Sequence, residues 1–179
     1  MKNVYAYPRD IIEKCLAEKV APINTSWALI SIYGNQRLIS TFGLEDTLKD
    51  IGCVSFIDLK FDDITDKDPL IFKGQPCILF NADHARKIIN FLDSIKEIET
   101  LIIHCAQGIS RSGAVGVFAC RYLGLDENAY RTANPQIIPN LYMLSVLNEV
   151  SGINDGYEKV WETENYEKLR SKIYTRMTR

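Results

Sequence analysis

Short apolar runs alternate along the chain with longer segments in which apolar residues recur at helical spacing. The short runs are rich in β-branched and aromatic residues and predict strands at residues 4–7, 27–33, 53–61 and 100–103. Helical spacing predicts helices near residues 11–16 and 44–51 and over 83–95, 112–123 and 140–150. Because strands and helices alternate, the pattern predicts an α/β fold with a central, mainly parallel sheet flanked by helices.

Polar residues, glycine and proline mark the ends of several predicted helices. Asn81 or Asp83 is suited to cap the helix that precedes the last strand. Gly124 follows the last periodic residue of the helix at 112–123 and predicts its end. Asp126 predicts the cap of a short helix that ends at 134–135, and Asn140 lies at the start of the final amphipathic helix.

The chain has 179 residues and is predicted to form a single domain over 1–179. Its last part, residues 153–179, mixes Trp161, Leu169 and Ile173 with many charges. We predict a C-terminal helical extension here that folds back on the domain, and a partner-binding tail is the alternative.

Composition and charge exclude some classes of protein. Hydrophobic residues make up 46% of the chain and charged residues 25%, with a net charge of −2 and a pI near 5.7. This balance argues against a general nucleic-acid-binding protein, although it does not describe local patches of basic residues. No signal peptide or apolar run of about 18 residues is present, so we expect a cytoplasmic protein without a membrane anchor. The oligomeric state is not indicated.

The five cysteines are an odd number and show no Cys-x-x-Cys spacing. The sequence therefore indicates neither a disulfide framework nor a zinc site. The four cysteines other than Cys105 are expected to be buried small apolar residues. One of them could capture an oxidised Cys105, but the sequence does not choose which.

A loop between a predicted strand and a predicted helix carries the candidate chemistry. Cys105 follows the strand at 100–103, and Arg111 lies six positions later with Gly108 between them. A helix N-terminus beside an arginine favours an anion and lowers a cysteine pKa from about 8.5 to roughly 3.5–7.5. Gly108 lets the backbone bend, and the planar guanidinium of Arg111 suits phosphate. The residues predict an anion cradle with a nucleophile at its base, rather than a buried free cysteine beside an unrelated arginine.

The segment His104-Cys105-x-x-Gly108-x-x-Arg111-Ser112 resembles the HCxxGxxR(S/T) signature of the cysteine-dependent protein tyrosine phosphatases. Its ending, GISRSG at 108–113, is similar to the dual-specificity branch, and weaker agreement extends over residues 53–150. The resemblance implies a dual-specificity phosphatase-like fold, with Cys105 as the nucleophile and no cofactor or metal. It also implies that Ser112 assists departure of the thiolate and that His104 shapes the loop. The implied substrate-binding residues are Ala106, Gln107, Gly108, Ile109, Ser110 and Arg111.

An acidic segment at 62–69 directly follows a predicted strand and carries the candidate general acid. Cleavage of a phosphate ester requires a proton donor for the leaving oxygen, and a loop at the carboxyl end of a strand is well placed to supply it. The resemblance implies an aspartate on such a loop, and the tripeptide at 61–63 looks like the Phe-x-Asp form. This favours Asp63 over Asp62, with Asp66 and Asp68 as further candidates. The segment at 69–80 is predicted to be an insertion that borders the pocket or forms a surface loop.

These features predict a phosphatase that hydrolyses phosphate monoesters through a phosphocysteine intermediate. Lysine is absent from the loop, whereas related inositol-lipid phosphatases often place it there, so the sequence favours phosphotyrosine, phosphoserine or phosphothreonine proteins as substrates. An RNA 5′-phosphatase or a phosphoinositide phosphatase is an alternative. A non-catalytic phosphate-binding module is another, and the arginine at the sixth position favours phosphate chemistry over sulfur transfer.

Overall fold

Twelve helices and strands make up the part of the chain that the computed structural model describes, residues 1–34 and 44–153. Their bounds in chain order are β1 (Asn3–Pro8), α1 (Arg9–Glu18), β2 (Trp27–Tyr33), α2 (Glu45–Asp50), β3 (Cys53–Lys60), β4 (Ile71–Phe72), β5 (Gln75–Pro76), α3 (Ala82–Ser94), β6 (Thr100–Cys105), α4 (Arg111–Tyr122), α5 (Glu127–Ala133) and α6 (Leu141–Ser151). Each predicted strand and helix within the described ranges is present, with ends that differ by no more than two residues.

The central sheet has the strand order β1-β6-β2-β3, and all of its pairings are parallel. The last predicted strand, β6, lies between β1 and β2 and is buried along its whole length. Strands buried on both faces read as continuous apolar runs, as β2 and β6 do. The parallel arrangement brings the carboxyl ends of the four strands to one edge of the sheet.

Helices pack on both faces of the sheet, so the prediction of an α/β fold with a parallel sheet flanked by helices is confirmed. One buried cluster joins alternate strand residues, such as Ile30 and Ile103, to side chains of α3, α4, α5 and α6. A smaller cluster on the other face joins Leu29 and Ile102 to α1 and α2. Successive residues of a strand point to opposite faces, so β6 contributes to both clusters.

The predicted helix ends agree with side-chain hydrogen bonds. Asn81, and not Asp83, caps α3: its side chain accepts bonds from the N–H groups of Asp83 and His84. Asp126 caps α5 in the same way, and Asn140 caps α6 by accepting from Met143 N–H. These caps satisfy amide groups that have no partner within the helix.

The segment at 69–80 contains a two-stranded antiparallel hairpin, β4–β5, that the sequence analysis does not predict. Its two-residue loop is Lys73-Gly74, and both residues have positive φ, 50° and 75°. A tight hairpin loop of this kind favours glycine. Leu70, Ile71 and Phe72 are exposed on the hairpin.

The outer edge of β1 is covered by side chains of the segment between α5 and α6. Asn134 Oδ1 accepts a 2.8 Å hydrogen bond from Ala6 N–H, and Asn134 Nδ2 donates to Val4 O at 3.4 Å. Gln136 Nε2 donates to Ala6 O at 3.0 Å. Two amide side chains therefore make the contacts that a further strand would make.

One expectation needs correction. Of the four cysteines expected to be buried, Cys53 and Cys120 are buried but Cys15 and Cys77 are partly exposed. Cys15 lies in α1, which buries only Arg9 and Ile12, and Cys77 directly follows the exposed strand β5. His84, in the first turn of α3, is half-buried against the rings of Phe61 and Phe80. The predicted C-terminal extension lies outside the described residues from 154 onward. Among the residues described, none of the helices has the length and apolar character needed to cross a membrane.

Candidate active site

The carboxyl ends of three strands of the central sheet bring the predicted site residues together. Strand β6 ends at Cys105, and β1, which pairs with it, ends beside it at Pro8. Strand β3 ends just before Phe61-Asp62-Asp63, on the other side of β2. Residues that are about 40 positions apart in the sequence thus meet at one edge of the sheet.

The loop at 106–110 bends at Gly108, which has a φ of 67°. A side chain at this position would also overlap the backbone of β1, because a Cβ would lie 2.6 Å from Pro8 N and from the carbonyl carbon of Tyr7. Glycine is therefore required at position 108 for two reasons: the backbone has a positive φ, and the end of β1 leaves no room for a side chain. The predicted bend is present, and its tight contact is with the end of β1.

Hydrogen bonds from outside hold the carbonyl groups of the loop. Ala106 O accepts from Arg9 N–H at 3.4 Å, and Ile109 O accepts from Ile138 N–H at 3.1 Å. Ser110 O accepts from Asn140 N–H at 3.2 Å. In a trans peptide the N–H points opposite to the carbonyl, so the N–H groups that follow these three carbonyls face away from the anchoring segments. This arrangement makes them available to an anion.

Cys105 is almost completely buried, and its Sγ lies 3.3 Å from Ser112 Oγ. Burial alone would raise the pKa of the Cys105 thiol. The Arg111 guanidinium and hydrogen bonds from the hydroxyl and N–H of Ser112 more than offset this, so the pKa lies below its ordinary value. The negative charge of Asp63 acts in the opposite direction without reversing the result.

Arg111 is the first residue of α4, and its side chain is buried. Its Nη1 donates a 2.9 Å hydrogen bond to Phe61 O, which ties the guanidinium to the segment that leads into the acidic loop. Ser110, at the N-cap of α4, makes no capping bond with its side chain. The first turn of α4 therefore keeps amide groups that a bound anion can use.

The two candidate acids have different surroundings. Asp63 Oδ1 accepts 2.8 Å hydrogen bonds from Ser110 Oγ and Asn140 Nδ2, so this carboxylate contacts the cysteine loop directly. Asp62 Oδ2 instead accepts a 2.7 Å bond from Ile78 N–H. The structure therefore places Asp63 against Ser110 of the cysteine loop and joins Asp62 to the segment that follows the hairpin.

His104 is buried beside the loop. Burial, followed by the positive charges of Arg9 and Arg111, lowers its pKa to about 4. The imidazole is therefore neutral near pH 7 and adds no positive charge to the site. Its predicted role in shaping the loop stays a prediction.

The implied substrate-binding residues line one continuous loop with graded exposure. Gln107 is exposed, Ala106 and Ile109 are partly exposed, and Gly108 and Ser110 are buried. Within residues 1–34 and 44–153 no group of three His, Cys, Asp or Glu side chains could hold a metal ion.

Sequence reasoning missed the part that Asn140 plays in this site. Its side chain caps α6 and reaches Asp63, while its N–H binds the cysteine loop. The position of Asn140 at the start of the final helix was visible in the sequence, but it does not indicate a contact with Asp63. The hydrogen bond that the carbonyl of Phe61 accepts from Arg111 was also missed, because every residue has a backbone carbonyl and the sequence does not show which one is used.

Several solved structures are similar to this chain. The chain is similar to Tk-PTP in its active form, with 19% identity over 85% of this chain and 92% of that one and a TM-score of 0.50. The human tyrosine phosphatase-like serine/threonine/tyrosine-interacting protein shows 14% identity over 83% and 87% of the two chains, with a TM-score of 0.47. Human DUSP28 shows 16% identity over 89% and 93%, also with a TM-score of 0.47.

No protein-family model matches the chain, and no curated protein sequence does. The likeness is therefore one of structure and not of detectable sequence similarity. The chain therefore shares its fold with Tk-PTP.

Proposed function

We propose that the chain is a cysteine-dependent phosphatase that hydrolyses phosphate monoesters through a phosphocysteine intermediate. The observation that carries the proposal is the contact of Asp63 with the loop that also holds Cys105 and Arg111. A nucleophile, an anion-binding group and a proton donor then lie around one position. These are the three parts that the cleavage of a phosphate ester requires.

In the first step the Cys105 thiolate attacks phosphorus in line with the ester oxygen. The S–P bond forms as the P–O bond to the leaving group breaks, and Asp63 gives its proton to the departing oxygen. The loop amides and the Arg111 guanidinium hold the three remaining phosphoryl oxygens throughout. The leaving group departs as an alcohol or phenol, and the phosphoryl group stays on sulfur.

In the second step water attacks the phosphocysteine, and Asp63, now a carboxylate, accepts its proton. The S–P bond breaks and its electron pair returns to Cys105. The Ser112 hydroxyl, 3.3 Å from Sγ, is placed to donate a hydrogen bond to the departing thiolate. Inorganic phosphate leaves and the starting state of the site is restored.

The position of Asp63 also bears on the non-catalytic alternative. A module that only binds phosphate needs the loop and Arg111 but not a carboxylate directed at them. Asp63 is held against the loop by two side chains, Ser110 and Asn140, which supports turnover rather than binding alone.

For the substrate we propose phosphorylated proteins. The side chains of Ala106, Gln107, Ile109 and Ser110 carry no charge, so the loop itself offers no cation to a second phosphate of a polyphosphorylated lipid or a 5′-triphosphate end. A single phosphate monoester on a protein side chain fits this loop better.

The test is a comparison of initial rates on p-nitrophenyl phosphate, a phosphotyrosine peptide, a phosphoserine peptide, a phosphoinositide and 5′-triphosphate RNA. We expect turnover of the aryl phosphate and the peptides, and its complete loss in Cys105→Ser with phosphate binding retained. Undiminished turnover in Cys105→Ser would exclude the mechanism. A clear preference for the lipid or the RNA would change the substrate class, and tight binding of phosphopeptide without turnover would favour the non-catalytic module.

A further inference from the structure

Asp62 is joined to Ile78 at two points. Its backbone N–H donates a 2.8 Å hydrogen bond to Ile78 O, and its Oδ2 accepts a 2.7 Å bond from Ile78 N–H. The peptide groups on both sides of Ile78 are thus bound by one residue. We call this pair of bonds the Asp62–Ile78 clamp.

The second carboxylate oxygen of Asp62 lies against Gly34, at the end of β2. A Cβ at Gly34 would overlap Asp62 Oδ1, and the same point is 3.7 Å from Arg111 Nη1. Asp62 therefore fills the space between β2 and the segment that follows the hairpin, close to the phosphate-binding arginine.

Three consecutive residues thus make three different attachments at the end of β3. Phe61 O accepts the bond from Arg111, Asp62 binds Ile78, and Asp63 reaches Ser110 of the cysteine loop. Phe61 is also fixed by its ring, which packs edge-on against Phe80 at a centroid distance of 4.9 Å. The backbone that carries Asp63 is held on its N-terminal side by these contacts.

We propose that Asp62 is a positioning residue that holds the Asp63 carboxyl in place through the Asp62–Ile78 clamp and is not itself the proton donor. The proposal rests on the proposed function and assigns a role to the neighbour of its acid. Oδ2 of Asp62 accepts a hydrogen bond from the backbone N–H of Ile78, whereas the carboxylate that contacts the cysteine loop is that of Asp63.

The discriminating variants are Asp62→Asn and Asp62→Ala, with Asp63→Asn as the matched control. An asparagine at 62 keeps an oxygen that can accept from Ile78 N–H but cannot donate a carboxylic acid proton. If Asp62 only positions its neighbour, Asp62→Asn keeps near wild-type rates. If Asp62 were the acid, Asp62→Asn would lose as much activity as Asp63→Asn.

The measurement is kcat and KM on p-nitrophenyl phosphate, a good leaving group, and on phenyl phosphate, a poor one. We expect Asp62→Ala to lower kcat on phenyl phosphate by about 10-fold or more, with a smaller loss on p-nitrophenyl phosphate and little change in KM, since misplacing a catalytic group costs rate rather than binding. An unchanged ratio of the two kcat values in Asp62→Ala would overturn the proposal, as would an inactive Asp62→Asn that folds normally.

A second variant covers the case in which Asp62→Ala does not fold. Gly34→Ala presses on Asp62 Oδ1 without removing the carboxylate, and we expect it to reproduce the selective loss on phenyl phosphate. Normal leaving-group dependence in Gly34→Ala would then contradict the proposal. Failure of the proposed function gives a different result, namely a wild-type protein with no turnover of either aryl phosphate.

Discussion

Asn140 Nδ2 donates a 2.8 Å hydrogen bond to Asp63 Oδ1 across 77 positions of sequence. Asn140 is almost completely buried and also caps α6 with its side-chain oxygen. Its backbone N–H binds Ser110 O, and the hydroxyl of Ser110 is the other donor to Asp63 Oδ1. The acid, the cysteine loop and α6 are therefore joined at one residue.

Asn140→Ser should separate the two roles of this residue. Serine still caps a helix well, but its side chain is too short to reach Asp63. We expect the melting temperature to stay close to that of the wild type, and kcat on phenyl phosphate to fall more than kcat on p-nitrophenyl phosphate. In an Asp63→Asn background the same change should cost little further, because the bond acts through Asp63. Equal losses on both substrates would contradict a role in placing the acid.

The thiol of Cys105 should react at lower pH than the other cysteines. Burial raises the pKa of Cys53 and of Cys120 to about 12, whereas the pKa of Cys105 is lowered. Because only the thiolate is nucleophilic, alkylation by iodoacetate at pH 6.5 should occur first at Cys105, and inorganic phosphate should protect it. Mass spectrometry of peptides from protein labelled at several pH values checks this, with the more exposed Cys15 and Cys77 as internal controls. In Ser112→Ala, which removes one hydrogen bond to the thiolate, the inflection should move to higher pH.

Gly116→Ala should destabilise the fold even though alanine is the better helix former. A Cβ at Gly116 would overlap the phenol ring and oxygen of Tyr130, a buried residue of α5 that donates a 3.3 Å hydrogen bond to Ser112 O. Overpacking of this kind costs about 1–3 kcal/mol. Urea unfolding is the measurement, and Gly113→Ala is the control, since its Cβ would lie 3.2 Å from Ile137 Cβ and can be accommodated more easily. In a Tyr130→Ala background the penalty of Gly116→Ala should disappear.

His104 should make the protein less stable as the pH falls from 6.5 toward 4. Its pKa drops from 6.5 to about 4 on folding, so within this window the unfolded chain binds a proton that the folded chain does not. The contribution of His104 to stability is therefore fully present above pH 6.5 and is lost as the pH falls toward 4. The loss is up to about 3 kcal/mol, at roughly 1.4 kcal/mol per pKa unit. The free energy of unfolding of His104→Asn should fall less steeply over the same range. Parallel curves for the two proteins would contradict the assignment.

The fold could be predicted from the sequence because the patterns of the separate segments all indicate the same architecture. The runs that form β2 and β6 are continuous and apolar, as expected for strands covered on both faces, and the caps at Asn81 and Asp126 stand where helices begin. The β4–β5 hairpin was not predicted because its strands are two residues long and show no alternation of apolar and polar residues. Its Lys73-Gly74 loop was the one usable signal.

Within the site, the sequence could name side chains whose chemistry is distinctive, such as Cys105 and Arg111. It also favoured Asp63 over Asp62 as the acid, with Asp66 and Asp68 as further candidates, but it could not show which carboxylate contacts the cysteine loop. The attachments of Asp62 to Ile78 and of Asp63 to Asn140 depend on how distant segments fold together. An asparagine and its neighbours in the sequence do not indicate that its side chain binds a distant carboxylate.

The amide side chains that cover β1 belong to the same stretch that ends at Asn140. Asn134 is fixed to Val4 and Ala6 at one end of this stretch, and Asn140 is fixed to Asp63 at the other. A single added or deleted residue between them would break one attachment or the other, although the stretch is a connection between helices, where length usually varies freely. In homologous chains we therefore expect the spacing of these two asparagines to be kept even where the residues between them change.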